Sequence, residues 1–180
     1  MIIDDSLNKR QNICLYLLVM IISGIMGFVY EEIFYLFDLG YLVKRGSTYG
    51  PWIPIYLFGG LFLTLIVYRF RKKPIMVFLM SLIVTGTLEF FTGFILFKCF
   101  NMRLWDYNNE ILNFGNIGGF ICLRSVLLFA FAGLFLVYFV IPLLIKLIKK
   151  ANQKILEIIS YGLIVLFVLD MVIYAIVNYL

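Results

Sequence analysis

Five long apolar stretches occupy most of this sequence and limit what the chain can fold into. A helix that crosses the roughly 30 Å hydrocarbon core of a membrane needs about 20 mostly apolar residues. Stretches of about that length lie at about 13–34, 54–70, 75–97, 117–145 and 155–179. The pattern predicts an all-α, polytopic membrane helical bundle of about five transmembrane helices, forming a single integral membrane domain over residues 1–180. The first stretch lacks a signal-peptide cleavage site of the Ala-x-Ala kind, so we expect it to be a retained helix.

The composition excludes most classes of soluble protein. Hydrophobic residues make up 64% of the chain and charged residues 14%, whereas a soluble domain has about 45–50% and about 25%. There is no histidine, and no C-x-x-C pair occurs among the three cysteines, so we expect no metal and no cofactor. The phosphate-binding loop of ATPases and the G-x-S-x-G and H-E-x-x-H motifs are also missing, and no residue is assigned a catalytic role.

Basic residues predict the orientation of the bundle, because lysines and arginines favour short cytoplasmic loops. Ten of the fifteen lie before the first stretch, between the second and third, or between the fourth and fifth. This distribution predicts that the N-terminus is inside, the C-terminus is outside and the two long loops are external. Basic residues at helix ends serve orientation and contact with anionic lipid, so we expect the lipid bilayer, and no nucleic acid, as a partner.

Two residues of opposite charge fall inside apolar stretches, where charged side chains are costly and commonly functional. At about 1.5 Å per residue, Glu89 lies about 12 Å, and Arg124 about 10 Å, below the outer ends of their stretches. The matching depths predict an ion pair between Glu89 and Arg124. Such a pair either locks the helices together without a ligand or lines a polar cavity that binds a polar group. Glycines such as Gly24 and Gly27 are expected to let helices approach closely.

The candidate binding site combines these charges with residues of the two outer loops. Arginines would hold an anionic group, acids would orient hydrogen bonds or a cation, and tryptophans would form the walls. The candidate substrate-binding residues are Glu31, Arg45, Trp52, Glu89, Trp105, Asp106 and Arg124. Asp170, in the fifth stretch, either makes a packing hydrogen bond or belongs to the cavity wall.

Several short motifs carry a family resemblance. In chain order they are Gly27-Phe28-Val29-Tyr30-Glu31, Arg45-Gly46, Gly50-Pro51-Trp52-Ile53-Pro54-Ile55-Tyr56, Gly59, Leu88-Glu89-Phe90, Gly93, Trp105-Asp106-Tyr107, Asn113-Phe114 and Ile121-Cys122-Leu123. Over Gly27 to Leu123 the chain resembles bacterial membrane proteins described as putative ABC-transporter type IV, or CmpB-like. The resemblance implies a transport-associated permease of the bacterial plasma membrane.

Three functional hypotheses remain open at this stage. The first is a transport-associated permease or substrate-capture subunit with an outward-facing site for a small polar solute or a lipid headgroup, served by a separate ATPase or another membrane subunit. The second is an intramembrane enzyme acting on a lipid-linked substrate, with Glu89 or Asp106 as general base. The third is a structural or regulatory membrane subunit that binds no small molecule. The oligomeric state is also open.

Overall fold

Helices account for 75% of the chain in a computed structural model that describes residues 4–179. The helices are α1 (Lys9–Leu39), α2 (Pro54–Phe70), α3 (Pro74–Phe100), α4 (Leu123–Lys150) and α5 (Gln153–Tyr179). Within the described residues there is no strand, only an isolated bridge between Ile117 and Ile121. The prediction of an all-α bundle is confirmed.

Four of the helices, namely α1, α3, α4 and α5, are long and apolar enough to cross a membrane. Helix α2 is shorter and spans about 25 Å at 1.5 Å per residue. It begins at Pro54 and passes through a π-helical segment, Leu63–Val67, before its last turn. A second π-helical segment, Leu136–Val140, lies in α4. Because α2 falls short of the others, the count of five spans stays a prediction.

Helix boundaries follow local capping chemistry. The side chain of Asn8 accepts a hydrogen bond from the backbone of Gln11, whose side chain bonds back, and α1 ends at Gly40 with a φ of 81°. This is the usual pairing of a polar N-cap with a left-handed glycine at the C-terminus. Helix α3 begins at Pro74 and ends at Asn101 in the left-handed conformation.

The predicted start of the fourth span at residue 117 is wrong. Residues 117–122 form a tight turn closed by the bridge between Ile117 and Ile121, and the helix begins at Leu123. Gly118 and Gly119 have φ values of 61° and 79°, which a right-handed helix cannot contain. Hydropathy could not separate this apolar turn from the helix that follows it.

Small residues bring α1 and α2 into close contact, as predicted from Gly24 and Gly27. A Cβ atom added to Gly24 would lie 2.0 Å from Leu57 Cδ1, and one added to Gly27 would lie 2.1 Å from Tyr56 Cγ. Only glycine leaves room for these α2 side chains, which is how small residues support helix packing in membranes. The contact fixes Tyr56 beside α1.

The basic connections meet at one end of the bundle. Hydrogen bonds from Ser6 lower the pKa of Asp4, and attraction to Lys149 and Arg71 lowers it further. The N-terminal segment therefore lies between the α2–α3 and α4–α5 connections. The long loops, 40–53 and 101–122, lie at the other end, where they enclose the charged residues described below. The predicted orientation requires the basic connections and the long loops to lie at opposite ends of the bundle, as they do. Which end faces the cytoplasm stays a prediction.

Candidate functional site

A small polar cavity lies at the end of the bundle that carries the long loops. Its volume is about 30 Å³, and α1, α2, α3, α4 and both loops contribute to its walls. Five of the seven predicted site residues line it, namely Glu31, Arg45, Glu89, Trp105 and Arg124. Two tyrosines, Tyr35 and Tyr107, and the loop residue Glu110 also line it.

The predicted ion pair between Glu89 and Arg124 is wrong. Arg124 Nη2 instead donates to Glu110 Oε2 at 2.5 Å, and the two side chains are only 13% and 7% exposed. Arg124 lies in the first turn of α4 rather than deep in it, because the helix starts at Leu123, so the arginine reaches the loop carboxylate. The guanidinium also stacks 3.9 Å from the centre of the Phe34 ring, and Tyr35 donates its hydroxyl hydrogen to Glu110.

A second ion pair also lines the cavity. Arg45 Nε donates to Glu31 Oε2 at 3.3 Å, and the guanidinium lies 3.8 Å from the centre of the Tyr35 ring. The backbone N–H of Arg45 donates to the neighbouring Glu32 at 2.9 Å. Adjacent helical positions point about 100° apart, so one acid faces the cavity and the other holds loop one.

Glu89 is held by hydroxyl groups and not by a cation. It is 3% exposed, Ser125 Oγ donates to Glu89 Oε2 at 2.9 Å, and the Tyr107 hydroxyl donates to Glu89 Oε1. Burial and the neighbouring carboxylate raise the pKa of Tyr107 well above its usual value, so this loop residue keeps the proton that it donates. Glu89 is therefore a buried carboxyl group without a charged hydrogen-bond partner among the described residues.

The Trp105-Asp106-Tyr107 motif turns its three side chains in different directions. Trp105 lines the cavity and donates its Nε1–H to the Phe120 carbonyl at 3.0 Å, and Tyr107 reaches Glu89. Asp106 turns away, where it pairs with Arg103 at 3.3 Å and accepts from the Asn108 backbone N–H. The predicted site residue Asp106 thus shapes loop two and does not line the cavity.

The other predicted residue outside the cavity is Trp52, which belongs to a contact between loop one and α5. Asp170 Oδ2 accepts from Trp52 Nε1 at 2.7 Å and from the Gly50 N–H at 2.8 Å. Asp170 Oδ1 accepts from the Tyr49 N–H at 2.9 Å, and Trp52 packs edge-on against Phe167. Of the two roles predicted for Asp170, the packing hydrogen bond is the one that the structure shows.

Replacing this carboxylate by an amide is expected to release loop one. In Asp170→Asn the amide NH₂ would face backbone donors, so at least one hydrogen bond to a charged acceptor is lost, at a cost of about 1.5–3 kcal/mol. Hydrogen exchange at the Tyr49 and Gly50 amides should accelerate at least tenfold. Asp5→Asn, at an exposed position near the other end, should leave both amides unchanged. Equal exchange rates in the two variants would contradict the role of Asp170 in holding loop one.

Two further cavities adjoin the polar one. A cleft of about 580 Å³ shares Glu31, Arg45 and Trp105 with it and continues along apolar side chains of α2 and α3, among them Phe58 and Leu96. An apolar cavity of about 150 Å³ shares Tyr30, Tyr56, Leu128 and Phe129 with it and lies deeper, between α1, α2 and α4. The charged cavity therefore shares wall residues with both a larger cleft and an apolar cavity.

Glu110 is a charged cavity residue that sequence reasoning did not include in the site. It lies in a polar loop with several asparagines, and no periodicity indicates which loop residue turns inward. The available signal in the sequence was the position of Arg124 in an apolar stretch, since a buried arginine needs a nearby carboxylate. Within residues 4–179 no cluster of His, Cys, Asp and Glu has a composition suited to a metal ion.

The long apolar helices and the polar cavity at one end define a multi-pass membrane protein. The profile of the family described as Putative ABC-transporter type IV matches residues 18–175, and the chain belongs to this family. The match extends the resemblance seen over Gly27 to Leu123 and, together with the helices, assigns the chain to the bacterial plasma membrane. No curated protein and no solved structure matches the chain significantly.

Proposed function

We propose that the protein is a transport-associated membrane subunit that binds a small polar solute or a lipid headgroup between its two long loops, where the polar cavity and the 580 Å³ cleft share Glu31, Arg45 and Trp105. The observation that carries the proposal is the set of three carboxylates and two arginines that α1, α3, α4 and both loops bring to one cavity. Charged groups are costly inside a membrane protein and are retained where they serve a ligand or an ion.

The cleft beside the charged residues favours a ligand-binding role over one in which the ion pairs only hold the helices together. An ion pair that only joins two helices needs no cavity, whereas Glu31 and Arg45 face both the polar cavity and the 580 Å³ cleft. Ligand sites in helical bundles commonly combine apolar walls with a few converging polar groups. The aromatic walls and the two ion pairs match that description.

The energy for transport would come from elsewhere. The chain has no phosphate-binding loop, and family membership favours a separate ATPase or another membrane subunit as partner. The connections 71–73 and 151–152 are short, even with the basic helix ends beside them, and offer little surface for such a partner. This favours a capture subunit that docks beside another membrane protein.

A thermal-shift screen tests this proposal. Purified full-length protein in detergent is heated with single compounds: amino acids, amino alcohols, sugars, glycerol phosphate and soluble lipid headgroups. A ligand at 100 times its Kd stabilises the folded state by about 2.7 kcal/mol, so its melting temperature should rise. Arg45→Gln, in the cavity, should abolish the rise, and Arg69→Gln, at the basic end, should retain it. A screen with no rise, or an equal rise in both variants, would contradict a site in this cavity.

Cysteine labelling on intact cells tests whether the cavity faces outward. In a Cys99→Ser background, where the two remaining cysteines are buried, Asn109→Cys should react with a membrane-impermeant maleimide on intact cells. Asn109 is exposed and adjoins Asn108, whose side chain is occupied by loop hydrogen bonds. Lys72→Cys should react only after permeabilisation. The reverse pattern would show that the cavity faces the cytoplasm.

A further inference from the structure

The charges around the polar cavity do not balance. Three carboxylates, Glu31, Glu89 and Glu110, face two guanidinium groups, Arg45 and Arg124. Each arginine is already bound by one carboxylate, Arg45 by Glu31 and Arg124 by Glu110. The remaining acid, Glu89, is also the least exposed of the three at 3%, and its two hydrogen bonds come from neutral hydroxyls. With all three acids ionised, the cavity thus has one excess negative charge.

A buried charge of this kind is stabilised by a compensating charge or by protonation. The walls favour a cation, because aromatic rings present their negative faces to positive charge. The two arginines stack on the rings of Tyr35 and Phe34. Three further aromatic residues, Tyr30, Tyr56 and Trp105, line the cavity and are the candidates for contact with a bound cation. The same surroundings disfavour a free anion, since both guanidinium groups are already neutralised.

One donor in the cavity wall also lacks a partner. Arg124 Nε is buried and makes no hydrogen bond to any residue in the described part of the chain. An N–H group of this kind calls for an oxygen acceptor. A ligand that satisfies both features would place a positive charge near Glu89 and an oxygen near Arg124.

We propose that the ligand carries an ammonium group beside an oxygen acceptor, with the ammonium compensating Glu89 and the oxygen accepting from Arg124. This inference rests on the proposed binding function and narrows its ligand class. A free amino alcohol and the headgroup of an aminophospholipid share this chemistry. The cleft that shares Glu31, Arg45 and Trp105 with the cavity continues along apolar side chains of α2 and α3, a surface that suits the acyl chain of a lipid.

The two tryptophans of the chain make the inference measurable. Trp105 lines the cavity and Trp52 does not. Trp52→Phe removes one hydrogen bond to Asp170, keeps the two backbone hydrogen bonds that hold loop one, and leaves one reporter in the site. Ethanolamine is titrated into this full-length variant in detergent, with ethylene glycol and glycolate as neutral and anionic probes of similar size. For the lipid source, the same variant is placed in nanodiscs of phosphatidylethanolamine or phosphatidylglycerol. Trp105→Phe, which leaves only Trp52, should show no response to any probe.

The inference predicts a saturable change in Trp105 emission with ethanolamine, or a difference between the two nanodiscs, and no saturation with ethylene glycol or glycolate. Adding Glu89→Gln should weaken the ethanolamine response at least tenfold, or remove the nanodisc difference. Glu157→Gln, which removes a carboxylate near Arg10 at the basic end, should leave the response unchanged. Saturation by ethanolamine alone would identify a free solute, and a nanodisc difference alone a lipid headgroup.

The results that would overturn the inference are distinguishable from failure of the proposed function. Saturation by glycolate, or an ethanolamine response that Glu89→Gln leaves intact, would show a polar site with a different ligand class, and the proposed function would stand. No response to any probe in solution or nanodiscs would reject the ammonium ligand. If the thermal-shift screen is then also negative, the binding function fails with it.

Discussion

Arg124→Met should lower the free energy of unfolding by about 3–5 kcal/mol, the usual cost of removing one partner from a buried ion pair. The arginine side chain is 13% exposed and its partner Glu110 is 7% exposed, so the abandoned carboxylate would have little access to water. Methionine keeps most of the length and apolar volume of the side chain. The effect should therefore report the lost charge and its hydrogen bonds more than a cavity.

The control is an exposed pair of the same chemistry. Arg103 and Asp106 are 30% and 35% exposed, and such pairs contribute about 0.2–1 kcal/mol. Arg103→Met should consequently cost much less, although it also removes a hydrogen bond to the Gly118 carbonyl. Denaturant unfolding in mixed micelles measures both variants, and Arg124→Met combined with Glu110→Gln should cost less than the sum of the single changes. A cost below 1 kcal/mol for Arg124→Met would mean that the pair is solvated.

Gly27→Ala is expected to destabilise the bundle by about 1–3 kcal/mol, the usual cost of overpacking, and to disturb the site. Its new Cβ would lie 2.1 Å from Tyr56 Cγ and 2.5 Å from Tyr56 Cδ1. The clash is with a ring and not with the end of a flexible side chain, so α1 and α2 must separate or Tyr56 must move. Because Tyr56 lines the cavity, weaker ligand binding should accompany the loss of stability.

Gly162 allows the same substitution where there is space. It lies in α5, and a Cβ there would have no heavy atom within 4 Å. Alanine favours a helix over glycine by about 1 kcal/mol, so Gly162→Ala should be neutral or stabilising. Melting temperatures of the two variants, measured in one detergent, check the pair of predictions. Similar values would show that α1 and α2 pack less closely than described.

The sequence predicts the helices well because the hydrocarbon core demands long apolar segments. The all-helical architecture, the contact at Gly24 and Gly27 and the family could all be predicted. The start of α4 could not, because the turn before it is as apolar as the helix. That boundary matters for function, since it moves Arg124 to the helix end and changes its partner from Glu89 to Glu110.

The site could be predicted in part. Five of the seven residues chosen from the sequence line one cavity, because ionisable residues in membrane segments usually face the interior of the bundle. Asp106 lies outside it because it pairs with Arg103 three positions earlier in the same loop, and Trp52 lies outside it because its partner Asp170 comes from α5, far along the chain. Side-chain direction in a loop depends on such long-range hydrogen bonds, which sequence spacing does not encode.

Native mass spectrometry of the gently purified full-length protein tests the central claim most directly. The account predicts a stoichiometric bound molecule, containing an ammonium group and an oxygen acceptor, that is present on the unsubstituted protein and on Glu157→Gln and absent from Glu89→Gln. Melting temperatures are measured for each variant, and an unchanged value shows that a missing ligand reflects lost binding and not lost folding. A bare unsubstituted protein in every gentle preparation, or a bound molecule equally present on Glu89→Gln, would contradict a ligand site at Glu89.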